Sequence, residues 1–282
     1  MNSLLLKTEL SKRICSFIFI CGVIFLLLHN TWNIILTDFG FEVGWSFFMF
    51  QNSSIILIFV AISTSLHIGQ ELCGKTVTNK IILGYDLKTI YNTHILIGIL
   101  EALILFAIDT ITIIIASRIK SFSCDVYIYS LVVNLIIILI SIIVISIFVT
   151  MLAVIIPSRI LSLVIIIGVS LVLFQKGEDL TINLIEPSQT TFFNDSQEAP
   201  PMDNPLYING SQRTLYKLEL LASPYAQVQY EKFILSEDHE QKVSTSLILK
   251  HIPYHVEFII VGIIECLIIY YLGRIVIKYR MK

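Results

Sequence analysis

Six long apolar runs constrain this chain more than any other feature of its sequence. Each is long enough to cross about 30 Å of hydrocarbon as an α-helix. They lie at about Ile14 to Leu36, Trp45 to Ile68, Thr93 to Ala116, Tyr127 to Ile156, Arg159 to Phe174 and Tyr254 to Ile277. A soluble fold of this length cannot hide six helices that are apolar all round. The sequence therefore predicts an all-α polytopic membrane protein with six transmembrane helices.

Composition supports the same class and excludes several others. The chain has a mean hydropathy of +0.83 and 14% charged residues, against about 25% in soluble domains. A net charge of −2 does not favour nucleic acid as a partner. The five cysteines show no CxxC pair and no histidine at ligand spacing, so neither a metal site nor a disulfide framework is predicted. They are Cys15, Cys21, Cys73, Cys124 and Cys266.

The basic residues predict the orientation of the chain. Eleven lysines and arginines lie on one side of the predicted membrane: before the first run, between the second and third runs, between the fourth and fifth runs, and at the end of the chain. The short loops on the opposite side hold only Arg118 and Lys120. By the positive-inside rule both termini are cytoplasmic in a cell (plasma) membrane. The polar Met1 to Arg13 segment lacks a cleavage site after it, which predicts an uncleaved first helix. Pro157 and Arg159 favour a surface turn between the fourth and fifth spans, with one proline-kinked helix as the alternative.

A long polar loop, about Gln175 to Pro253, separates the last two spans. It divides the chain into residues 1–174, the loop at 175–253, and the sixth span with its tail at 254–282. The loop holds eleven acidic and six basic residues, a net charge of −5, and is expected outside the cell. Its second half predicts two short amphipathic helices broken at Pro224. A solvated linker without a partner is the alternative.

A nucleotide-binding pattern occurs between the second and third spans, and its context argues against that function. Gly69-Gln-Glu-Leu-Cys-Gly74-Lys75-Thr76 satisfies G-x-x-x-x-G-K-[ST]. The phosphate-binding loop requires a buried strand before it and an acidic Mg²⁺ partner, whereas a membrane helix comes first here. We expect no ATP binding, no catalytic site and no cofactor on this chain.

The same stretch, Gly69 to Asn92, predicts a polar cytoplasmic segment containing a short amphipathic helix. Val77, Ile81 and Ile82 are apolar at helical spacing, and Gly84 is the expected stop. Such a helix either anchors at the lipid interface or docks a cytoplasmic partner.

The segment resembles the ABC-2 type permeases, the membrane subunits of ABC exporters. Many of them carry a Glu-x-x-x-Gly-Thr-like run, then a basic residue and a second glycine, between helices 2 and 3. Here Lys75 is inserted between the glycine and the threonine, and Tyr85-Asp86-Leu87-Lys88 replaces the usual Ser-Arg. The basic N-terminal amphipathic segment, six spans and external excursion before the last span also match. The residues that the resemblance assigns to coupling are Glu71, Gly74, Lys75, Thr76, Asn79, Lys80, Gly84 and Lys88.

The resemblance implies a division of labour between subunits. The segment between helices 2 and 3 would be a coupling helix seated on a separate ABC ATPase subunit, which holds ATP and Mg²⁺. Two permease copies, identical or paired, would enclose the substrate path. The implied function is outward movement of an amphipathic substrate, and the acidic external loop suits a cationic antimicrobial peptide, in export or immunity.

Four acids lie inside predicted spans, where ionised carboxylates are costly. Glu101 and Asp109 lie on the third span, and Glu257 and Glu265 on the sixth. Each pair is eight residues apart and shares one helical face, and approximate depth matching permits contacts between the two spans. No basic residue lies mid-span to pair with them, and His94 is expected at the interface. They are candidates for the substrate path; headgroup contacts and interhelical hydrogen bonds are the alternative.

Two other functions remain open at this point. An ion- or proton-coupled secondary transporter would use Asp109 and Glu265. A ligand-sensing or immunity membrane protein would use the external loop.

Overall fold

The computed structural model describes residues 3–36, 50–119, 128–156, 158–186, 188–190, 193–194, 197–198, 202–236, 247–248 and 252–280. Helices dominate these residues. They are α1 (Ser3–Ile14), α2 (Phe17–Thr31, continued by a π-helical turn, Trp32–Leu36), α3 (Ser53–Cys73), α4 (Thr76–Ile82), α5 (Leu87–Ile119), α6 (Ile128–Ile155), α7 (Arg159–Ile185), α8 (Gly210–Leu221), α9 (Pro224–Ser236) and α10 (Tyr254–Arg280).

Six of these helices are long and apolar enough to cross a membrane. The candidate spans are Phe17–Ile34, Ser53–Cys73, Leu87–Ile119, Val132–Ile155, Arg159–Ile185 and Tyr254–Tyr279. The chain is therefore an all-α polytopic membrane protein, and the number of spans predicted from hydropathy is confirmed.

Contacts between the spans define two ends of the bundle. At one end Glu71, late in α3, meets His94, early in α5, and α1 and α4 pack there; we call this end the base. At the other end Asn30, late in α2, meets Asn52, just before α3. The segment between α7 and α10 lies at that end, which we call the crown.

Small polar residues line the contacts between the central helices. Ser63 and Thr64 on α3 and Ser146 on α6 are fully buried, and the Ser65 hydroxyl lies 3.1 Å from that of Ser162 on α7. Side chains of this size let membrane helices approach closely.

Several helix boundaries differ from the sequence prediction. Helices α3 and α5 extend into the expected polar segment, leaving only residues 74–86 between them, because Glu71 and His94 face protein and satisfy each other. The prediction of two spans joined by a turn is confirmed at α6 and α7, where Ser158 caps Leu161. Trp45, Tyr127 and Pro157 lie outside the described residues.

Helix α7 runs eleven residues beyond the predicted end of its span. Its last turns are polar toward solvent, but Gly177, Leu180 and Leu184 are buried against the paired helices α8 and α9. An ion pair between Lys176 and Glu219, 3.0 Å long, joins α7 to α8. Packing against the loop region, which hydropathy does not register, keeps this stretch helical.

The loop region itself is folded where it is described. Two short antiparallel pairs, Gln189–Thr190 with Met202–Asp203 and Phe193–Asn194 with Gln197–Glu198, precede α8 and α9. The two helices flank Pro224 as predicted, and all residues from 224 to 231 are buried. A solvated linker therefore does not describe this part of the chain. We call α8 and α9 together the crown hairpin.

Backbone contact between α7 and α9 depends on one glycine. A β-carbon at Gly177 would lie 2.9 Å from the Cα of Ala226, whereas one at Gly168 on the same helix would meet nothing within 4 Å. We expect Gly177→Ala to displace α9 and to lower the unfolding free energy by about 1–3 kcal/mol. Thermal unfolding of the purified chain measures this, and Gly168→Ala is the matched control, with no loss expected. Equal effects of the two substitutions would contradict the close contact.

Candidate functional site

The first helix docks on the base through one stripe of side chains. Leu5, Glu9 and Arg13 are four residues apart, so they share a face of α1, and all three are buried. A buried glutamate and arginine on an otherwise polar helix require partners of opposite charge.

Lys80 on α4 is the partner of Glu9 and the centre of an ion-pair network. Its Nζ lies 3.1 Å from Oε1 of Glu9 and donates to both carboxylate oxygens of Glu71 at 2.7 Å. Glu71 Oε2 in turn lies 3.1 Å from Nε2 of His94. This network joins α1, α3, α4 and α5 at one point of the base.

Arg13 forms a second buried ion pair deeper in the bundle. Its Nη1 donates to Glu101 Oε2 at 3.0 Å and to the Thr64 hydroxyl at 2.8 Å. Arg13 and Glu101 are 2% and 1% exposed. The prediction that no basic residue pairs with the acids in the spans was wrong for Glu101, because Arg13, which precedes the first span in sequence, folds into the bundle.

The charges of this region balance. Glu9, Glu71 and Glu101 are matched by Lys12, Lys80 and Arg13, with Lys12 3.1 Å from Glu9. Removing one partner of a buried pair leaves an uncompensated charge, which costs about 3–5 kcal/mol. The base network, by which we mean Glu9, Arg13, Glu71, Lys80, His94 and Glu101, therefore holds α1 and α4 against the spans.

The residues assigned to coupling by resemblance divide into two groups. Glu71 and Lys80 are buried in the base network. Gly74, Lys75, Asn79, Gly84 and Lys88 are exposed, and Thr76 is half-buried. Beside them Ile82 and Leu83 are 78% and 76% exposed. We call Lys75, Asn79, Ile82 and Leu83 the α4 rim.

Local backbone chemistry sets the direction of α4. Lys75 adopts a left-handed φ of 56° that reverses the chain after α3, and Gly84 has a φ of 91°. After α4 the Tyr85 amide donates to the Lys80 carbonyl at 3.1 Å and the Gly84 amide to that of Ile81 at 2.9 Å, so the predicted glycine stop is confirmed. A hydrogen bond from Thr89 lowers the pKa of the exposed Asp86 carboxyl. The nucleotide-binding pattern thus falls on a helix end, with Gly69 inside α3.

The four acids of the predicted substrate path lie in separate environments. Glu101 pairs with Arg13, Asp109 accepts from two asparagine amides, and Glu257 accepts from the Ile248 backbone amide at 3.1 Å. Glu265 is half-buried, and its Oε2 has no hydrogen-bond partner among the described residues. The structure does not bring these acids together.

Sequence reasoning missed several residues of these clusters. Glu9 and Arg13 were visible only as flanking charges, and the i, i+4, i+8 stripe of α1 is the signal that points to them. His94, expected at the interface, is 5% exposed. Asn30 and Asn52 gave no signal, because neither their spacing nor their type marks a contact with Asp109.

The crown hairpin carries a buried acid of its own. Glu231 on α9 is 1% exposed, and burial raises the pKa of its carboxyl to about 8. The Tyr254 hydroxyl donates to its Oε2 at 3.5 Å. Tyr254 also meets Tyr230 and Phe258 edge to face, so a mostly aromatic surface holds α9.

Comparison of the chain with protein-family models, with curated proteins and with solved structures gives no match. Within the described ranges, no group of three or more histidine, cysteine or acidic residues could hold a metal ion. The functional inference therefore depends on the geometry of the base and of the crown.

Two lysines of the same segment provide a test of the base network. Lys80→Ala leaves Glu71 buried without its cation, and we expect it to lower the unfolding free energy by about 3–5 kcal/mol. Lys75→Asn removes an exposed charge at a left-handed position that asparagine tolerates, so little change is expected. Thermal unfolding in the same detergent measures both. A tolerant Lys80 together with a sensitive Lys75 would contradict the network.

The raised pKa of Glu231 predicts a dependence of stability on pH. The folded state favours the protonated acid, so its contribution is complete below the ordinary value of 4.5 and is lost as the pH rises to about 8. We expect Glu231→Gln, which stays neutral, to flatten this part of the profile of melting temperature against pH. Glu219→Gln is the control, since Glu219 lies on the neighbouring helix and pairs with Lys176. Unchanged profiles in both variants would refute burial of a neutral acid.

Proposed function

We propose that this chain is the permease subunit of an ABC exporter, powered by a separate ATPase subunit that carries ATP and Mg²⁺. The single observation that carries the proposal is the construction of α4. Lys80 ties this helix to α1 and α3 through buried ion pairs, while the α4 rim is exposed at the end of the bundle. A force applied to the rim passes directly to membrane-spanning helices.

The rim has the chemistry of a protein contact. Ile82 and Leu83 are large exposed apolar side chains, with Lys75 and Asn79 exposed beside them. Apolar anchors rimmed by polar groups are typical of docking surfaces. The positive-inside rule puts the base in the cytoplasm, on the side where an ATPase finds its nucleotide. The resemblance to ABC-2 permeases at this segment supports the same assignment.

The rest of the bundle fits half of a transport path. Exposed apolar residues cover the outer faces of α2, α7 and α10, a surface for lipid and for a second copy of the chain or a paired permease. The segment of net charge −5 between α7 and α10 would then lie outside the cell, where it suits a cationic amphipathic peptide as substrate.

Two observations favour this proposal over the other functions. An ion-coupled transporter using Asp109 and Glu265 would bring the two acids to one site, but Asp109 is bound by α2 and the residue before α3. A sensor with an independent external domain would leave the loop region free, but α9 is packed into the bundle.

The α4 rim allows a direct test. Affinity-tagged chain purified from membranes of its native host is expected to carry MgATP hydrolysis from a subunit with a complete nucleotide-binding domain. Ile82→Asp should reduce this co-purifying activity by about tenfold or more, because a charge opposes burial of the rim. Leu206→Asp is the matched control, since Leu206 is 66% exposed at the crown, and it should keep the activity.

Stability and transport measurements complete the experiment. Both variants should melt like the wild type, because neither side chain is buried. The proposal fails if the wild-type chain alone, in proteoliposomes without an ATPase, moves substrate after ATP depletion. It also fails if Ile82→Asp keeps full ATPase association.

A further inference from the structure

Three polar side chains meet at the crown, inside the bundle. Asp109 Oδ1 accepts from Asn30 Nδ2 and from Asn52 Nδ2, each at 2.8 Å. Asn52 Nδ2 also donates to Asn30 Oδ1 at 2.7 Å. Asn30 is 3% exposed, and Asn52 and Asp109 are 0% exposed. The cluster joins α2, α5 and the start of α3.

Two oxygens of this cluster are left open. Asp109 Oδ2 and Asn52 Oδ1 have no hydrogen-bond partner among the described residues, and the hydroxyl of the adjacent Ser53 is also unpartnered. The amide donors of Asn30 and Asn52 are directed at Asp109 Oδ1, the Asp109 backbone carbonyl and Asn30 Oδ1. Two acceptor atoms on side chains that are hydrogen-bonded to each other are therefore buried without a donor among the described residues.

The charge of Asp109 is uncompensated as well. Two other buried acids have cations, Arg13 for Glu101 and Lys80 for Glu71. In the part of the chain that is described, no basic side chain forms an ion pair with Asp109. A buried carboxylate without a cation is costly by several kcal/mol.

We propose that Asp109 Oδ2 and Asn52 Oδ1 form a binding site for one monovalent cation, a proton or Na⁺. One carboxylate matches one positive charge, and oxygen ligands suit hard cations. A proton on Oδ2, donated to Asn52 Oδ1, would satisfy both open atoms. Na⁺ would use the same oxygens, with the Ser53 hydroxyl adjacent. Complete burial of the site excludes a substrate's ammonium group on its carbon chain.

Occupancy of the site has a structural consequence. With its cation, the cluster ties the crown ends of α2, α3 and α5 together; without it, a buried negative charge is held by amide donors alone. The crown ends of these helices are therefore less stable when the site is empty. This inference stands apart from the proposed ATPase coupling, because the site and its test need no second subunit.

The test uses the full chain in nanodiscs, without an ATPase. Thermal unfolding is measured in NaCl and in choline chloride at equal ionic strength, at about pH 5 and about pH 8. Asp109→Asn, which is isosteric and cannot ionise, is compared with wild type under each condition. The wild-type melting temperature should change by about 2 °C or more on binding of the cation, and the variant should lack this change.

The two cations give different results. If Na⁺ is bound, NaCl raises the wild-type melting temperature above that in choline at about pH 8, and Asp109→Asn shows no such rise. If a proton is bound, the two salts give the same result, and wild type loses stability relative to Asp109→Asn between about pH 5 and about pH 8. Identical responses of wild type and Asp109→Asn to both salt and pH would overturn the proposal.

A second variant tests the open amide oxygen under folded conditions. Asn52→Ala keeps the carboxylate but removes one of the two open oxygens. It also removes the amide donor to Asp109 Oδ1. It should weaken Na⁺ binding by about tenfold or, for a proton, shift the pH midpoint; both are read from tryptophan emission, for which Trp32 lies two residues beyond Asn30. An unshifted midpoint in Asn52→Ala would overturn the assignment of this oxygen to the site.

Discussion

The base depends on the ion pairs of Lys80. This ammonium group is shared by Glu9 and Glu71, so α1, α3 and α4 are held by one buried cation. Glu71 is not stable inside the bundle without Lys80, because desolvation of a single buried ion costs several kcal/mol. The junction is therefore stiff, because a change in the angle between α4 and α3 would expose a charge to solvent or leave it buried without its partner. Arg13 extends the junction inward to Glu101.

The crown is held differently. Aromatic contacts around Tyr254, the close approach at Gly177 and the buried neutral form of Glu231 fix the crown hairpin against the spans. Apolar and aromatic contacts are weakly directional compared with ion pairs, so the hairpin can shift by small steps without stranding a charge. A stiff end that receives force and a softer end that yields is the arrangement that the proposed exporter requires.

Sequence patterns predicted the parts of this structure that depend on local chemistry. Hydropathy predicted the six spans, Gly84 predicted the end of α4, and Pro224 predicted the break between α8 and α9. What could not be read is pairing across the chain. Arg13 and Glu101 are 88 positions apart, and Asn30, Asn52 and Asp109 come from three segments. A buried charge or amide predicts that a partner is needed, but only the packing of the helices determines which residue that partner is.

The same two helices connect the clusters at both ends. Along α3, Glu71 of the base network and Asn52, just before the helix, are about 28 Å apart; along α5, His94 and Asp109 are about 22 Å apart. Helices of this length move nearly as rigid bodies when packed. A displacement of α4 that tilts α3 against α5 therefore changes the distance between Asn52 and Asp109, where two hydrogen-bonding groups meet with one oxygen each left open. Force at the base and cation binding at the crown would thus act on the same relative position of α3 and α5. A displacement of α4 would change the free energy of cation binding, and cation binding would change the free energy of that displacement.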